Sequence, residues 1–153
     1  MMEVTLREAR PEDGPAIAAL VQALPQWFTP DVVEKAPADA ARYPTLVAVD
    51  THGGIIGAVV WKIESNAAEI EWLMVAPEHH RCGLGRRMMM ELIARLETAG
   101  VTRLVVATLA HTIEYEPYAR TRAFYEAMGF VLEHIEPAGW PDGTDKATYV
   151  LAR

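Results

Sequence analysis

The chain has a single cysteine, Cys82, among its 153 residues. One cysteine excludes an internal disulfide framework and any cysteine-rich zinc site, so a reducing cytoplasm is the expected setting. Basic residues are also scarce: 14 Lys and Arg against 21 Asp and Glu give a formal net charge of -7. Because general nucleic-acid binding depends on clustered Lys and Arg, this balance argues against nucleic acid as a partner.

Long apolar runs are missing as well. The longest strongly apolar stretch, residues 55–61, is far shorter than the roughly 20 residues that a bilayer-spanning helix needs. The N-terminal sequence, MMEVTLREARPEDG, is polar and acidic and has no apolar run of the signal-peptide type. We therefore expect no membrane partner and no export by that route.

The chain nevertheless has enough apolar residues to build a core. Hydrophobic residues make up 51% of it and charged residues 23%, which is typical of a soluble globular protein and too apolar for a disordered one. The length predicts a single domain over residues 1–153, because two separate cores would each lie near the small end of the usual size range.

Hydrophobic periodicity predicts a mixed sheet with helices on its faces, an α/β fold of the α+β type. The second to fourth predicted strands read as an antiparallel meander. The predicted strands cover residues 4–7, 45–50, 55–63, 69–75, 103–108, 130–135 and 148–151. Four helices are predicted. The first begins at residues 11–14, the second spans 31–42, the third begins at Leu84 and ends at Gly100, and the fourth spans 119–128.

The most informative stretch lies where the fourth predicted strand gives way to a long helix. The short loop between them carries Gly83 and Gly85, flanked by Arg81 and Arg86. The free N–H groups of a helix's first turn point outward with the positive end of its dipole, and glycines let a ligand approach the backbone closely. This combination predicts a cradle for a phosphate or diphosphate.

Two common nucleotide motifs fit this loop poorly. The Walker pattern requires Gly-Lys-Ser/Thr at the end of the loop, which this chain lacks. The dinucleotide pattern requires a third glycine where Met88 stands, and it follows parallel strands rather than hairpins. A nucleotide-dependent transferase of another type therefore stays only as an alternative.

The loop resembles the acetyl-CoA-binding motif of the GCN5-related N-acetyltransferases (GNAT), Gln/Arg-x-x-Gly-x-Gly/Ala. The matching residues are His80-Arg81-Cys82-Gly83-Leu84-Gly85. The preceding residues 69–77 resemble the family's fourth strand, and residues 122–130 resemble its second signature, a helix with Phe-Tyr followed by Gly-Phe. The resemblance covers nearly the whole chain and implies a largely antiparallel central sheet that splays between strands four and five.

The resemblance implies acetyl-CoA as the acetyl-donor co-substrate. Backbone donors of the splayed strand would polarise the thioester carbonyl, with Leu73 as the expected contact. This chain departs from the family pattern at His80, where Gln or Arg is usual, and at Tyr118, where Asn is frequent. The implied cofactor-binding residues are Leu73, Met74, Val75, His80, Arg81, Cys82, Gly83, Leu84, Gly85, Arg86, Tyr118 and Thr121.

Acetyl transfer to an amine requires a base and an acid. An alkyl ammonium of pKa about 10.4 is neutral in only about one part in a thousand at pH 7, and the departing thiolate must be stabilised. Glu69 matches the catalytic glutamate of histone-modifying members, and Glu71 shares its strand face by period two. Either one would alternatively be a solvated carboxylate or an ion-pair partner. Tyr125 matches the family's tyrosine and is the expected acid, with simple packing as the alternative.

The acceptor side is implied only by the family. In this family the region of the first helix and the last hairpin form the walls of the acceptor pocket, which implies Trp27, Phe28 and Trp140 as substrate residues. Alternatively, these three are ordinary aromatics of the core or its rim. No metal is expected, because adjacent histidines in a tight loop rarely face one ion. The acceptor is the amine of an unidentified small molecule or peptide, with protein lysine also open. A homodimer is allowed by the resemblance, and the oligomeric state stays open.

These observations predict a cytoplasmic acetyl-CoA-dependent N-acetyltransferase. A primary amine would attack the thioester directly within a ternary complex, since no nucleophile–base constellation surrounds Cys82. The alternative from another class is a non-catalytic acyl-CoA-binding regulatory module that keeps the cradle without turnover.

Overall fold

The computed structural model describes residues 3–152. Within that range the strands are β1 Thr5–Glu8, β2 Thr45–Val49, β3 Ile55–Glu64, β4 Ala67–Val75, β5 Arg103–Leu109, β6 Val131–Glu136 and β7 Lys146–Ala152. The helices are α1 Gly14–Gln22, α2 Val32–Arg42, α3 Leu84–Thr98 and α4 Glu116–Ala127, with short 3₁₀ turns at Pro11–Asp13 and Pro77–His79. Across residues 3–152, no helix has both the length and the apolar character needed to cross a membrane.

The strands form one sheet in the order β1-β2-β3-β4-β5-β7-β6. The pairs β1–β2, β2–β3, β5–β7 and β6–β7 are antiparallel, and β4–β5 is parallel. A parallel pair needs a crossover connection, which here contains α3. This mixed, mostly antiparallel sheet with helices confirms the predicted fold class.

One compact unit of the chain extends up to Lys62 and includes residues 71–99. Its core is built from β2, β3, α1 and α3, and its most deeply buried side chains are Ile17, Val21, Leu46, Val47, Val59, Val60, Met74, Met88, Met89 and Leu92. Helix α3 lies close to β3 at Gly57, where an added Cβ would be 2.8 Å from the Sδ atom of Met88. Real Cβ atoms essentially never approach so closely, so a larger residue at position 57 would require the buried Met88 side chain to move.

The second compact unit contains residues 63–70 and the chain from Gly100 onward. Strand β7 pairs with β5 on one side and with β6 on the other. The parallel β4–β5 ladder runs from the pair Ala67–Arg103 to the pair Ile70–Val106 and ends there, whereas β4 continues to Val75. The early end of this ladder agrees with the expected splay between the fourth and fifth strands.

Most predicted boundaries lie within one or two residues of the observed ones. The predicted start of the last helix at residue 119 is wrong, because α4 begins at Glu116. Pro117 lies in its first turn, where backbone N–H groups have no partner within the helix, so a proline without an N–H costs no helical hydrogen bond. The opening of the first helix at Pro11 also divides into a 3₁₀ turn followed by α1 from Gly14.

Candidate functional site

The loop between β4 and α3 contains two residues with left-handed backbone conformation. Arg81 has a φ of 63° and Gly83 a φ of 83°. Glycine adopts this conformation readily, whereas a residue such as arginine is strained there by about 1–3 kcal/mol. Left-handed residues in a turn direct successive N–H groups to the same side, which forms an anion-binding concavity.

The loop is open on the side of Gly83. A Cβ built on Gly83 would have no atom of the described residues 3–152 within 4 Å, apart from its chain neighbours. Gly83 is also the N-cap of α3 and has no side-chain cap hydrogen bond, so the first-turn N–H groups keep their capacity to bind an anion. Arg81 and Arg86 are exposed on either side of it. Arg81, Cys82 and Gly83 therefore lie in one exposed loop beside the positive end of α3, whereas Leu84 is buried at the start of the helix.

His80 holds this loop against the end of β4. Its Nε2 atom lies 2.7 Å from the carbonyl oxygen of Val75. Because a carbonyl oxygen only accepts, Nε2 must carry the proton and donate it. The ring also contacts the indole of Trp27 edge to face, with centroids 5.4 Å apart. The thiol of Cys82 is exposed and donates to the carbonyl oxygen of His79 at 2.7 Å.

Two of the three predicted substrate aromatics lie beside β4. Trp27 and Phe28 are half-buried in the connection between α1 and α2. The Phe28 ring contacts Trp72 edge to face at 6.0 Å, and the Trp72 indole N–H donates to Oδ2 of Asp39 at 2.8 Å. The sequence did not indicate the role of Asp39, because a partner on α2 has no periodic relation to a residue on β4.

Glu71, the second candidate for the base, forms an ion pair. Its Oε1 atom lies 2.7 Å from Nζ of Lys62 on the neighbouring strand. The Lys62 ammonium also lies 4.8 Å from the ring centroid of Tyr43. Hydrogen bonding to Glu71 raises the pKa of Lys62, so the lysine stays charged. The ion-pair interpretation of Glu71 thus has direct geometric support.

Of the predicted strand contacts in the first unit, Leu73 and Val75 are half-buried and Met74 is buried. The Met74 side chain belongs to the core, so this residue offers a ligand its backbone rather than its thioether. In the second unit, Glu69 is exposed and opposite Val105 in the β4–β5 ladder.

Tyr125 is enclosed by aromatic side chains. Its ring contacts Phe124 at 5.3 Å and Phe130 at 5.2 Å, and only 4% of the residue is exposed. Burial raises the pKa of Tyr125 well above its usual value, and burial also raises the pKa of Tyr118 to about 12. Both phenols therefore stay protonated at neutral pH and can donate a hydrogen bond.

Helix α4 has two buried residues. Phe124 and Met128 near its C-terminal end are only half-buried. The buried residues are Tyr125 and Arg122. Arg122 can be buried because its Nη1 donates to the carbonyl oxygen of Leu109 at 2.7 Å. The hydroxyl of Thr121 donates to the carbonyl oxygen of Pro117 at 3.2 Å, inside its own helix.

Trp140, the third predicted substrate aromatic, lies in the connection between β6 and β7. Its indole N–H donates to the carbonyl oxygen of Thr108 at 3.3 Å, and the ammonium of Lys146 lies 5.1 Å from its ring centroid. Asp145 fixes the same connection by accepting from the Thr112 hydroxyl at 2.7 Å and from the Ala138 N–H at 2.9 Å. The ring is thus held firmly, and one part of it stays accessible.

Comparison with known families confirms the resemblance seen in the sequence. A family model described as an acetyltransferase (GNAT) domain matches residues 41–132, more than half of the chain. The chain belongs to the GNAT acetyltransferase family. The GNAT family uses acetyl-CoA. The matched region extends from β2 to α4 and includes the whole glycine loop.

Individual GNAT proteins show how far the similarity extends. A chloroplastic GCN5-related N-acetyltransferase 1 of Arabidopsis thaliana is 26% identical over 112 residues, which cover 73% of this chain but 44% of that protein. A Desulfovibrio desulfuricans structure assigned to the GNAT acetyltransferases has a TM-score of 0.88 at 25% identity and covers 98% of this chain and 99% of its own. The ribosomal-protein-S18-alanine N-acetyltransferase of Escherichia coli has a TM-score of 0.81 at 24% identity, covers 98% and 94%, and shows the fold alone.

Proposed function

We propose that this GNAT protein is an acetyl-CoA-dependent N-acetyltransferase and that residues 80–86 bind the diphosphate of the donor. The observation that carries the proposal is the pair of left-handed residues, Arg81 and Gly83, directly before α3 with open space beside Gly83. Their backbone N–H groups supply directional donors for phosphate oxygens, and the exposed Arg81 and Arg86 supply charge. The bound acetyl-CoA would supply a thioester that an amine can attack.

Leu73, Glu69 and Tyr125 carry the proposed chemistry. The backbone N–H of Leu73 would hold the thioester carbonyl oxygen as negative charge develops on it. The amine nitrogen forms a bond to the carbonyl carbon, the carbon–sulfur bond breaks, and the amine loses a proton to Glu69, directly or through water. Tyr125 would give a hydrogen bond or its proton to the departing sulfur, which its protonated state at neutral pH allows.

Glu69 is preferred to Glu71 as the base because of its match to the family's catalytic glutamate and its exposure. An oxygen of Glu71 is already engaged by Nζ of Lys62 at 2.7 Å. Glu69 is the more exposed of the two, and exposure gives water access to its carboxylate.

The proposed acceptor is the primary amine of a small molecule or a peptide. The half-buried rings of Trp27 and Phe28 support an acceptor wall beside β4, and Trp140 is proposed as a further acceptor contact. The name of the structurally similar Escherichia coli enzyme states that it acetylates an alanine of a ribosomal protein. A peptide N-terminus is therefore a sensible first acceptor to test.

The decisive experiment replaces Gly83 with alanine and measures CoA binding by calorimetry. The new Cβ would occupy the open space and strain the left-handed backbone, so we expect at least a tenfold loss of CoA affinity. The matched control is Gly100→Ala just beyond the other end of α3. Gly100 has a φ of 77° and equally open space, so the strain is the same and the cradle is untouched. Equal CoA affinity for the two variants would contradict the proposed cradle.

A thiol-release assay with acetyl-CoA and a panel of amines and N-terminal peptides then separates the alternatives. Release that depends on an added amine supports the transferase. Binding of CoA without release for any amine would favour the regulatory module. Competition by ATP but not by CoA would favour a nucleotide-dependent enzyme.

A further inference from the structure

We propose that His80 is a positioning residue that couples the α1–α2 connection to the diphosphate cradle, so that Trp27 contributes to CoA affinity without touching the cofactor. This inference rests on the proposed function of residues 80–86. It adds a thermodynamic link between the segment that would wall the acceptor and the loop that would hold the donor.

The first argument is that the His80 ring joins two parts of the first compact unit. On one side its Nε2 donates to the Val75 carbonyl oxygen at 2.7 Å, which holds the loop to the end of β4. On the other side the indole of Trp27 meets the ring at 84° with centroids 5.4 Å apart. Edge-to-face aromatic pairs of this geometry contribute about 0.5–1.5 kcal/mol beyond the area they bury.

The second argument is that the loop needs such support. Arg81, the residue after His80, is a non-glycine residue at a φ of 63°, and its side chain is exposed. A strained backbone of this kind persists only where the surrounding structure fixes it. Since burial of Arg81 cannot fix it, contacts of its neighbours must do so. The Cys82 thiol donates to the His79 carbonyl oxygen, and the His80 ring attaches the loop to Val75 and Trp27.

The third argument is that Trp27 is itself held in place. Its neighbour Phe28 contacts Trp72 of β4, and the Trp72 indole donates to Asp39 of α2 at 2.8 Å. The α1–α2 connection is thus attached to β4 independently of His80. Trp27 therefore presents a fixed surface to the imidazole, and a change on one side of the pair is transmitted to the other.

Position 80 also offers a matched substitution. The GNAT motif usually has Gln or Arg there, and glutamine keeps a side-chain N–H donor while it removes the aromatic ring. His80→Gln therefore places a residue usual for the family in the loop, retains a donor group for the Val75 carbonyl oxygen and removes the ring that meets Trp27.

The experiment is a double-mutant cycle on the CoA dissociation constant, measured by calorimetry on wild type, Trp27→Ala, His80→Gln and the double variant. We expect Trp27→Ala to weaken CoA binding about three- to tenfold in the wild-type background, the range that an aromatic pair supports. In the His80→Gln background the same change should alter binding by less than about twofold. Gln22→Ala, an exposed change at the end of α1, is the control that should leave CoA affinity unchanged.

Each outcome decides a different question. Equal effects of Trp27→Ala in both backgrounds would mean that Trp27 acts only on the general fold, and this would overturn the coupling while leaving the proposed function intact. Absence of CoA binding by the wild type would overturn the proposed function and the coupling with it. If Trp27→Ala lowers the melting temperature of the free protein, Trp27→Leu takes its place, because leucine keeps apolar bulk and removes the ring. It should weaken CoA binding about three- to tenfold in the wild-type background and less than about twofold in the His80→Gln background, and equal effects would overturn the coupling.

Discussion

Tyr125 shows how the surroundings of one residue set its chemistry. Its phenol lies between Phe124 and Phe130, and the loss of water around it raises the pKa above the ordinary 10.0. A group in that state cannot act as a base near neutral pH, but it can donate a hydrogen bond over the whole physiological range.

Tyr125→Phe is therefore expected to lower kcat by about a hundredfold or more, the usual contribution of a positioned acid, with CoA affinity within about twofold of wild type. The measurement is thiol release under saturating donor together with calorimetry. Tyr115→Phe on the residue preceding α4, whose side chain is 40% exposed, is the control and should keep full activity. An unchanged kcat for Tyr125→Phe would remove this residue from the acid role.

The partners of single residues were the part of the site that the sequence could not supply. The sequence alone indicates the glycine loop through its motif and the aromatic residues near α1 through their residue type. The hydrogen bond from Trp72 to Asp39 and the ion pair from Glu71 to Lys62 join residues that no local pattern relates. Such pairs depend on how elements cross, and this is determined by packing rather than by periodicity.

The connection between β1 and α1 depends on one buried carboxylate. Asp13 accepts two hydrogen bonds from the Arg7 guanidinium, at 2.8 and 3.1 Å, and a third from the Arg10 N–H at 2.7 Å. The hydrogen bonds from Arg7 hold the pKa of Asp13 below its ordinary 3.8. A charged, bidentate pair of this kind fixes the entry of the chain into α1.

We expect Asp13→Asn to destabilise the protein by about 1–3 kcal/mol at neutral pH, because it weakens a buried charge-assisted pair. Since the pKa of Asp13 is lower in the folded than in the unfolded state, its stabilisation is present above about pH 4 and is lost as the pH falls through the folded value. Urea unfolding at pH 3 to 7 should show the difference between wild type and variant shrinking below pH 4. Glu12→Gln, an exposed neighbour, is the control, and a difference that is constant with pH would contradict the argument.

At the level of elements, the sequence was informative where periodicity was strong and weak where elements end. The spacing of apolar residues in α3 predicted that helix closely, and the run in β3 did the same. The start of α4 was missed because a proline usually marks a boundary, whereas Pro117 occupies a first turn. Strand β7 was predicted too short because its first residues are defined by pairing with β5, from Lys146 opposite Leu109, and not by their own hydrophobicity.

Considered as a whole, the molecule has the wrong overall charge for an anionic cofactor. Its formal charge is -7, so long-range electrostatics oppose the approach of CoA, and binding must come from short-range donors and the local arginines. Under the proposed function, selectivity for the donor would then depend on the geometry of one loop rather than on a general attraction for anions.

If CoA binds to that loop as proposed, it should stabilise the folded protein by an amount that grows with the logarithm of its concentration relative to its dissociation constant. At a CoA concentration of about 100 times its dissociation constant, binding adds about 2.7 kcal/mol, which corresponds to a rise in Tm of roughly 5–10 °C for a protein of this size. Inorganic pyrophosphate at the same concentration is the control and should give a smaller rise, since it lacks the pantetheine contacts. No rise with CoA, or an equal one with pyrophosphate, would contradict the assignment.

The missing side chain of Gly57 links the packing of α3 to a single strand position. Helix α3 can come as near to β3 as it does because residue 57 has no atom to place between its backbone and Met88. Met88 is fully buried, so a methyl group at position 57 would force its thioether into another rotamer within a closely packed interior. The helix that follows the glycine loop is thereby held in part by a residue that carries no functional group.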